Sequence, residues 1–226
     1  MKKVSKIALL LLLLLSATGL SAQGVGLGLR GGLHFANWSL NDVAKDEFVF
    51  DPKSATGLLF GALLEIRLSN NLAIQPEVTY IQKGTKIDET ILSVKSEGGY
   101  TINYLEVPIM LKVGTGFGVG RFDVLLGPSF GYGLNGKYEI KATSGGITVT
   151  EEEDIDFEKD EISRTDLGAQ FGASVGLNLG SSARLFVDGR YLLGFTNLDK
   201  HEHGSGEEPT VRNRGVALTA GLMFSF

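Results

Sequence analysis

The last thirteen residues, Arg214–Phe226, read RGVALTAGLMFSF and alternate without a break. Val216, Leu218, Ala220, Leu222, Phe224 and Phe226 share one face; Gly215, Ala217, Thr219, Gly221, Met223 and Ser225 share the other. A period of two is that of a β-strand. A wholly apolar face ending in two aromatics, set against a small or weakly polar face, is what a barrel strand lying against lipid requires. A core strand of a soluble sandwich is the competing reading, and the opposite end of the chain weighs against it.

Met1–Ala22 reads as a signal peptide. Lys2, Lys3 and Lys6 give a positive start, Ile7–Leu15 is an unbroken apolar run, and small residues lead to Ser21-Ala22 ahead of Gln23. The run is too short for a transmembrane helix, which needs about 20 apolar residues. The chain has no cysteine, which excludes a lipoprotein anchor, disulfides and thiolate metal sites. Export leaves residues 23–226, enough for one domain. Without the signal's three lysines the 21 basic residues fall to 18 against 26 acids, a net charge of −8. That argues against nucleic acid as a partner, because phosphate binding needs a basic surface.

Period-two segments recur at Gly24–Asn37, Gly57–Leu68, Leu72–Lys83, Tyr104–Val113, Arg121–Leu134, Asp166–Leu179, Arg184–Thr196 and Arg214–Phe226. Each can cross a bilayer as a tilted strand, which takes about 9–11 residues. The even count predicts an all-β fold, an eight-stranded antiparallel up-and-down transmembrane β-barrel. Connections alternate in length: Ser69–Asn71, Gly114–Gly120 and Gly180–Ala183 are short, whereas Trp38–Thr56, Gly84–Asn103, Asn135–Thr165 and Asn197–Asn213 are long. Short turns on one side and long loops on the other are the periplasmic and extracellular ends of an outer-membrane barrel. Pro76, Pro108 and Pro128 fall inside strands, where each should mark a bulge or cost a ladder hydrogen bond. Tyr100, Ile102 and Tyr104 run in the opposite apolar phase to Leu105 onward; a bulge near the outer rim, or a strand continuing above the membrane, would each produce this.

Charges and glycines share one face of these segments, large aliphatics and aromatics the other. Arg or Lys on the lipid face costs ~2–4 kcal/mol near the midplane, so the apolar face is expected outward, the reverse of a soluble ligand-enclosing barrel. Arg30, Arg67, Lys83, Lys112, Arg121, Arg184 and Arg190 then face the lumen with Glu65, Glu77, Glu106, Asp123, Asp166 and Asp188. Eight strands enclose a space just wide enough for side chains to fill, and paired charges there satisfy one another. An ion pathway is the alternative use of the same residues.

Other motifs are weaker. Glu151–Glu161 (EEEDIDFEKDE) holds eight acids and one lysine; it reads as a solvated, self-repelling loop, with a cation or basic-partner site as the functional alternative, and it lacks the glycine and register of an EF-hand. His201-Glu202-His203, near Glu207 and Glu208, is read as exposed polar residues rather than a metal site. GVGLGLRGG lacks the βαβ unit that would make it a nucleotide fingerprint. His34, Ser129 and Ser174 are the strand residues from which a catalytic rim could be drawn, but nothing in the sequence brings them within reach. No catalytic residue, metal or cofactor is assigned. A soluble periplasmic ligand-binding barrel and a lipid-modifying outer-membrane enzyme stand as alternatives.

TINYLEVPIMLKV, VLLGPSFGYGL, RTDLGAQFGASVGL and DGRYLLGFTNL, in this order, resemble the recurrent motifs of the PorT-like outer-membrane β-barrel domain family, often called porin family, an OmpA/OmpX-type small barrel. The resemblance implies an eight-stranded barrel in the outer membrane of a diderm bacterium, with membrane lipids, the outer-membrane assembly machinery and an extracellular or secretion-system protein as partner classes. It carries over no catalytic residues, and no motif assigns this chain to secretion. The reading is a barrel with a filled lumen that displays long loops for binding or structural roles and is not a general diffusion pore.

Phe224 and Phe226 also resemble the terminal aromatic signal by which such barrels are recognised for insertion. Phe226→Ser should therefore lower the heat-resistant protein in outer-membrane fractions several-fold more than Ser225→Ala. Equal levels of the two variants would remove the assembly-signal reading.

Overall fold

The computed structural model describes residues 24–47, 52–91, 94–201 and 208–226; the signal peptide read at residues 1–22 lies outside them. The strands are β1 (Gly24–Leu40), β2 (Ala55–Arg67), β3 (Leu72–Ile91), β4 (Val94–Phe117), β5 (Gly120–Ser144), β6 (Ile147–Asp154), β7 (Thr165–Leu179), β8 (Ala183–Gly194) and β9 (Val211–Ser225), with one short helix, α1 (Asp42–Glu47). Neighbours run β4-β3-β2-β1-β9-β8-β7-β5, and the β4–β5 pairing closes the ring. β7 pairs with β5 over Gly120–Tyr132, while β6 pairs with the same strand further up, over Lys137–Ser144. Eight lanes therefore form the wall, with β6 stacked above β7 in one of them. The eight expected strands are all present.

Two of the expected long loops are strand instead. Gly84–Asn103 is the upper part of a β3–β4 hairpin, paired out to Ile91↔Val94, and most of Asn135–Thr165 continues β5 and returns as β6. The other end is tight: β4 reaches Phe117 and β5 starts at Gly120, so Gly114–Gly120 shrinks to a two-residue turn in which Gly118 takes φ 54°, a left-handed value that favours glycine.

The phase change at Tyr104 marks the membrane boundary. β4 keeps its parity throughout: Ile102, Tyr104, Glu106, Met110 and Lys112 are all buried inward, and Tyr100 meets Trp38 across the bore in a tilted ring contact. What changes is the outside. Leu105, Ile109, Leu111 and Val113 are exposed toward lipid, whereas Asn103 and Thr101 occupy the outward positions above them. β5 instead switches parity: the even positions Val124, Leu126, Phe130, Tyr132 and Leu134 face outward below, and the odd positions Lys137, Glu139 and Lys141 face outward above. A register shift lies between Asn103 and Tyr104, with Leu134 the extra residue on β5. The strand running on above the membrane is the explanation that holds for β4, since the extra residue sits on β5 and leaves the parity of β4 unchanged. A wall with lipid outside turns its apolar side chains out; the same wall with water outside turns them in.

The prolines cost pairing without shifting register. The β2–β3 ladder skips from Leu63↔Glu77 to Ile66↔Ile74 beside Pro76, the β3–β4 ladder from Pro76↔Ile109 to Thr79↔Glu106 beside Pro108, and the β4–β5 ladder from Pro108↔Ser129 to Leu111↔Leu126 beside Pro128. A missing N–H cannot donate, so the ladder opens and then resumes in phase.

The boundary can be tested by charge. Leu126→Arg, on the lipid face, should destabilise the barrel by ~2–4 kcal/mol, while Thr101→Arg, outward but above the rim, should stay within ~0.5 kcal/mol. Urea unfolding in lipid vesicles measures both.

Candidate functional site

The inward face holds the seven cations and six anions expected there, stacked in three layers. At mid-height Arg30 on β1 reaches Glu77 on β3 at 2.7 Å, Arg190 on β8 reaches Glu77 at 2.9 Å and Asp188 at 2.9 Å, and Arg30 lies 3.5 Å from Asp188. The Thr219 hydroxyl donates to Asp188 at 2.9 Å and the Gln75 amide to Glu77 at 2.6 Å. Toward the long-loop end, Lys83 contacts Glu106 at 3.1 Å and Asp166 at 3.0 Å, and Asn213 donates to Asp166. Toward the short turns, Glu65 is held by Lys112 and Arg184 at 2.7 Å each and by Arg67 at 3.0 Å, while Asp123 is held by Arg121 at 2.8 Å. Arg67 and Arg121 are partly exposed at that end; the other eleven charges are buried. Buried charges this dense are tolerable only when paired; Arg190–Glu77, Lys83–Asp166 and Arg184–Glu65 span the bore between strands three or four lanes apart, whereas Arg190–Asp188, Arg67–Glu65 and Arg121–Asp123 lie within one strand.

Apolar side chains share the charged face, at positions of the same parity as the charges. Leu63, Phe186 and Met223 cluster near the lower ionic layer, and Leu59, Ile81, Ile102, Tyr104, Leu192 and Ala217 pack around the upper one. Phe157 joins this upper cluster from within the acidic run and is 5% exposed. Gly133 and Gly136 form its seat, because a Cβ at Gly133 would lie 2.9 Å from the Phe157 ring and one at Gly136 2.9 Å from Ile155. The Arg164 guanidinium lies 4.6 Å from the Phe157 ring centre. The reading of Glu151–Glu161 as a purely solvated loop is thus corrected. Glu151–Asp154 is strand, Glu152 pairs with Lys137, and Ile155 and Phe157 bury at the mouth because they are the two apolar residues of the run.

Above this plug a cleft of about 470 Å³ opens at the mouth. An aromatic row bridges its base: Trp38 of β1 lies 4.9 Å from Tyr100 of β4, which lies 4.8 Å from Tyr138 of β5. Tyr138 pairs in register with both Tyr100 and Glu153. Burial, with Tyr138 and Asp160 adding to it, raises the Tyr100 hydroxyl above its usual pKa range. Trp38 also packs with Ala44 of α1, Leu198 and Val211; the Asn41 side chain accepts the Ala44 amide at 2.9 Å and so caps the helix.

His34 and Ser129 line one small buried cavity with Lys83 and Glu106, and the His34 Nδ1 bonds the Gln82 carbonyl at 2.8 Å. Ser174 sits lower, opposite Asp123 and Asp188, so the structure gathers two of the three and not the third. His201 contacts Asp199 at 2.7 Å and Glu161 at 3.4 Å; Glu202, His203 and Glu207 lie outside the described residues. Among the described residues no group of three or more His, Asp or Glu side chains is arranged to hold a metal. Phe224 and Phe226 are 48% and 82% exposed at the short-turn end, where the Phe226 amide donates to the Val25 carbonyl at 2.8 Å.

No curated protein matches the chain. Among solved structures, neisserial surface protein A (NspA) is 14% identical with a TM-score of 0.49, covering 91% of this chain and 99% of that one. The outer membrane protein OprG from Pseudomonas aeruginosa is 11% identical at 0.48, covering 91% and 97%. The attachment invasion locus protein Ail of Yersinia pestis, in complex with the heparin analogue sucrose octasulfate, is 12% identical at 0.41, covering 90% and 99%. Residues 21–200 match the model of the outer membrane protein β-barrel domain; with a closed ring of eight antiparallel lanes and an apolar outer band, the chain belongs to that family and to the bacterial outer membrane.

Proposed function

We propose that the protein is a closed display barrel: it anchors an extracellular crown of strand hairpins and loops for binding or structural roles and conducts no general solute flux. The observation that carries this reading is the Arg30–Glu77–Arg190–Asp188 network, which ties β1, β3 and β8 together across the bore. Eight strands leave room for side chains and not for an aqueous channel. The exposed band of Leu, Val and Phe on the outer face favours a lipid-embedded wall over a soluble periplasmic barrel. The His34–Ser129 cavity holds only about 10 Å³ among Lys83, Glu106 and Asp166, too little for a lipid, which favours a non-enzymatic role over lipid modification. In this reading residues 1–22 direct export, Phe224 and Phe226 engage the assembly machinery, and the PorT-like motifs make an extracellular or secretion-system protein the partner class, without nucleic acid.

Purified protein in a planar lipid bilayer should give no stable, stepwise conductance of porin size; reproducible large steps would overturn the closed-bore reading. Arg190→Ala leaves Glu77 and Asp188 short of a cation and should destabilise the barrel by ~3–5 kcal/mol while still giving no steps. Full stability together with small-solute permeability in that variant would instead support an ion pathway.

A further inference from the structure

The mouth cleft has a chemistry that the closed-barrel reading leaves unused. Its base is three touching aromatic rings, Trp38, Tyr100 and Tyr138. Glu153 stands beside Tyr138 on the same face of the sheet, and Asp154 and Asp160 complete the acidic side. Among the described residues none of these three carboxylates has a cation within ion-pair distance. Lys159 also lines the cleft, but its ammonium is turned to Asp156, at 3.6 Å. Three other crown acids are matched: Glu152 with Lys137, Glu139 with Lys141, and Glu97 with Lys95. The cleft thus concentrates unmatched negative charge over aromatic faces.

We infer that this cleft is a binding site for an organic cation, a guanidinium or alkylammonium group seated over the Tyr100–Tyr138 rings and paired with Glu153 and Asp160. The inference rests on the barrel reading only for placing the cleft on the outer surface. Ring faces carry negative electrostatic potential and attract such cations, most strongly where water is partly excluded. A soft, weakly hydrated guanidinium can stack on a ring and still bond a carboxylate in its plane, which a hard metal ion cannot do. The volume, about 470 Å³, lies within the range of small-ligand sites, roughly 300–1,000 Å³. The cation could reach the site as a free amine or as a side chain of a peptide, since both present the same group.

Trp38 is the chain's single tryptophan and lines the cleft, so its fluorescence reports occupancy directly. The folded protein in detergent micelles at low salt is titrated with agmatine, with acetyl-Gly-Arg-Gly-amide and with the neutral acetyl-Gly-citrulline-Gly-amide. A saturable Trp38 response to the cationic probes is expected, at least about tenfold weaker for the citrulline peptide and for the Glu153→Gln/Asp160→Asn variant, and weakened by 0.5 M salt through screening. Tyr138→Leu should weaken it several-fold. Tighter binding of agmatine than of the arginine peptide would make the ligand a free amine, and the reverse order a peptide. Heat-resistant gel mobility confirms that each protein is folded. With that mobility intact, no saturation, or equal responses to the charged and neutral peptides, would overturn the cleft assignment. Loss of the mobility in the unaltered protein would strike the barrel reading instead.

Discussion

A lipid bilayer offers no hydrogen bonds, and the whole molecule follows from that. Each strand must find both of its neighbours or leave amides unsatisfied at several kcal/mol apiece, so the sheet closes through β4–β5. Closure also explains why the proline gaps matter. Beside Pro76, Pro108 and Pro128 the ladder opens for two residues and resumes in the same register, because a slip of one residue would turn every lipid-facing side chain inward. The cost is local and the register is kept.

Eight strands fix the width of the bore, and the width fixes its chemistry. In a space filled by side chains, charges on opposite walls come within contact, as Arg184 on β8 does with Glu65 on β2 at 2.7 Å. The ion pairs therefore act as cross-braces whose members depend on one another. Removing one strands its partners in a dry interior, whereas replacing a whole cluster with apolar groups need not destabilise. Leu63, Phe186 and Met223 already fill one level in that apolar manner.

Above the membrane the constraint is released and the pattern inverts. Outward positions become Lys, Glu, Asn and Thr, inward ones become aromatic, and the sheet goes on as a crown over the mouth. The acidic run is drawn into this crown by Ile155 and Phe157, which pack at the outer end of the bore beneath Arg164. Three of its carboxylates, Glu153, Asp154 and Asp160, then line a cleft. Structure above the rim answers to water and partners, whereas structure below it answers to lipid.

The amino-acid sequence by itself determined the strands, their lipid and lumen faces, the ordering of short turns against long connections, and the thirteen charges that fill the bore. All of these are one-dimensional patterns: a period of two, the segregation of charge from large apolar residues, and the spacing of segments. The phase reversal at Tyr104 was legible as a pattern, but its meaning needed the surroundings of β4, since alternation records which residues share a face and not which medium that face meets. Only the tertiary structure decided which acid meets which base, that Gly84–Asn103 and Asn135–Thr165 are largely strand, and that Trp38, Tyr100 and Tyr138 form one row. Those residues are far apart in the chain, and they meet because ring closure sets β1 across from β4 at the height where the bore reaches water.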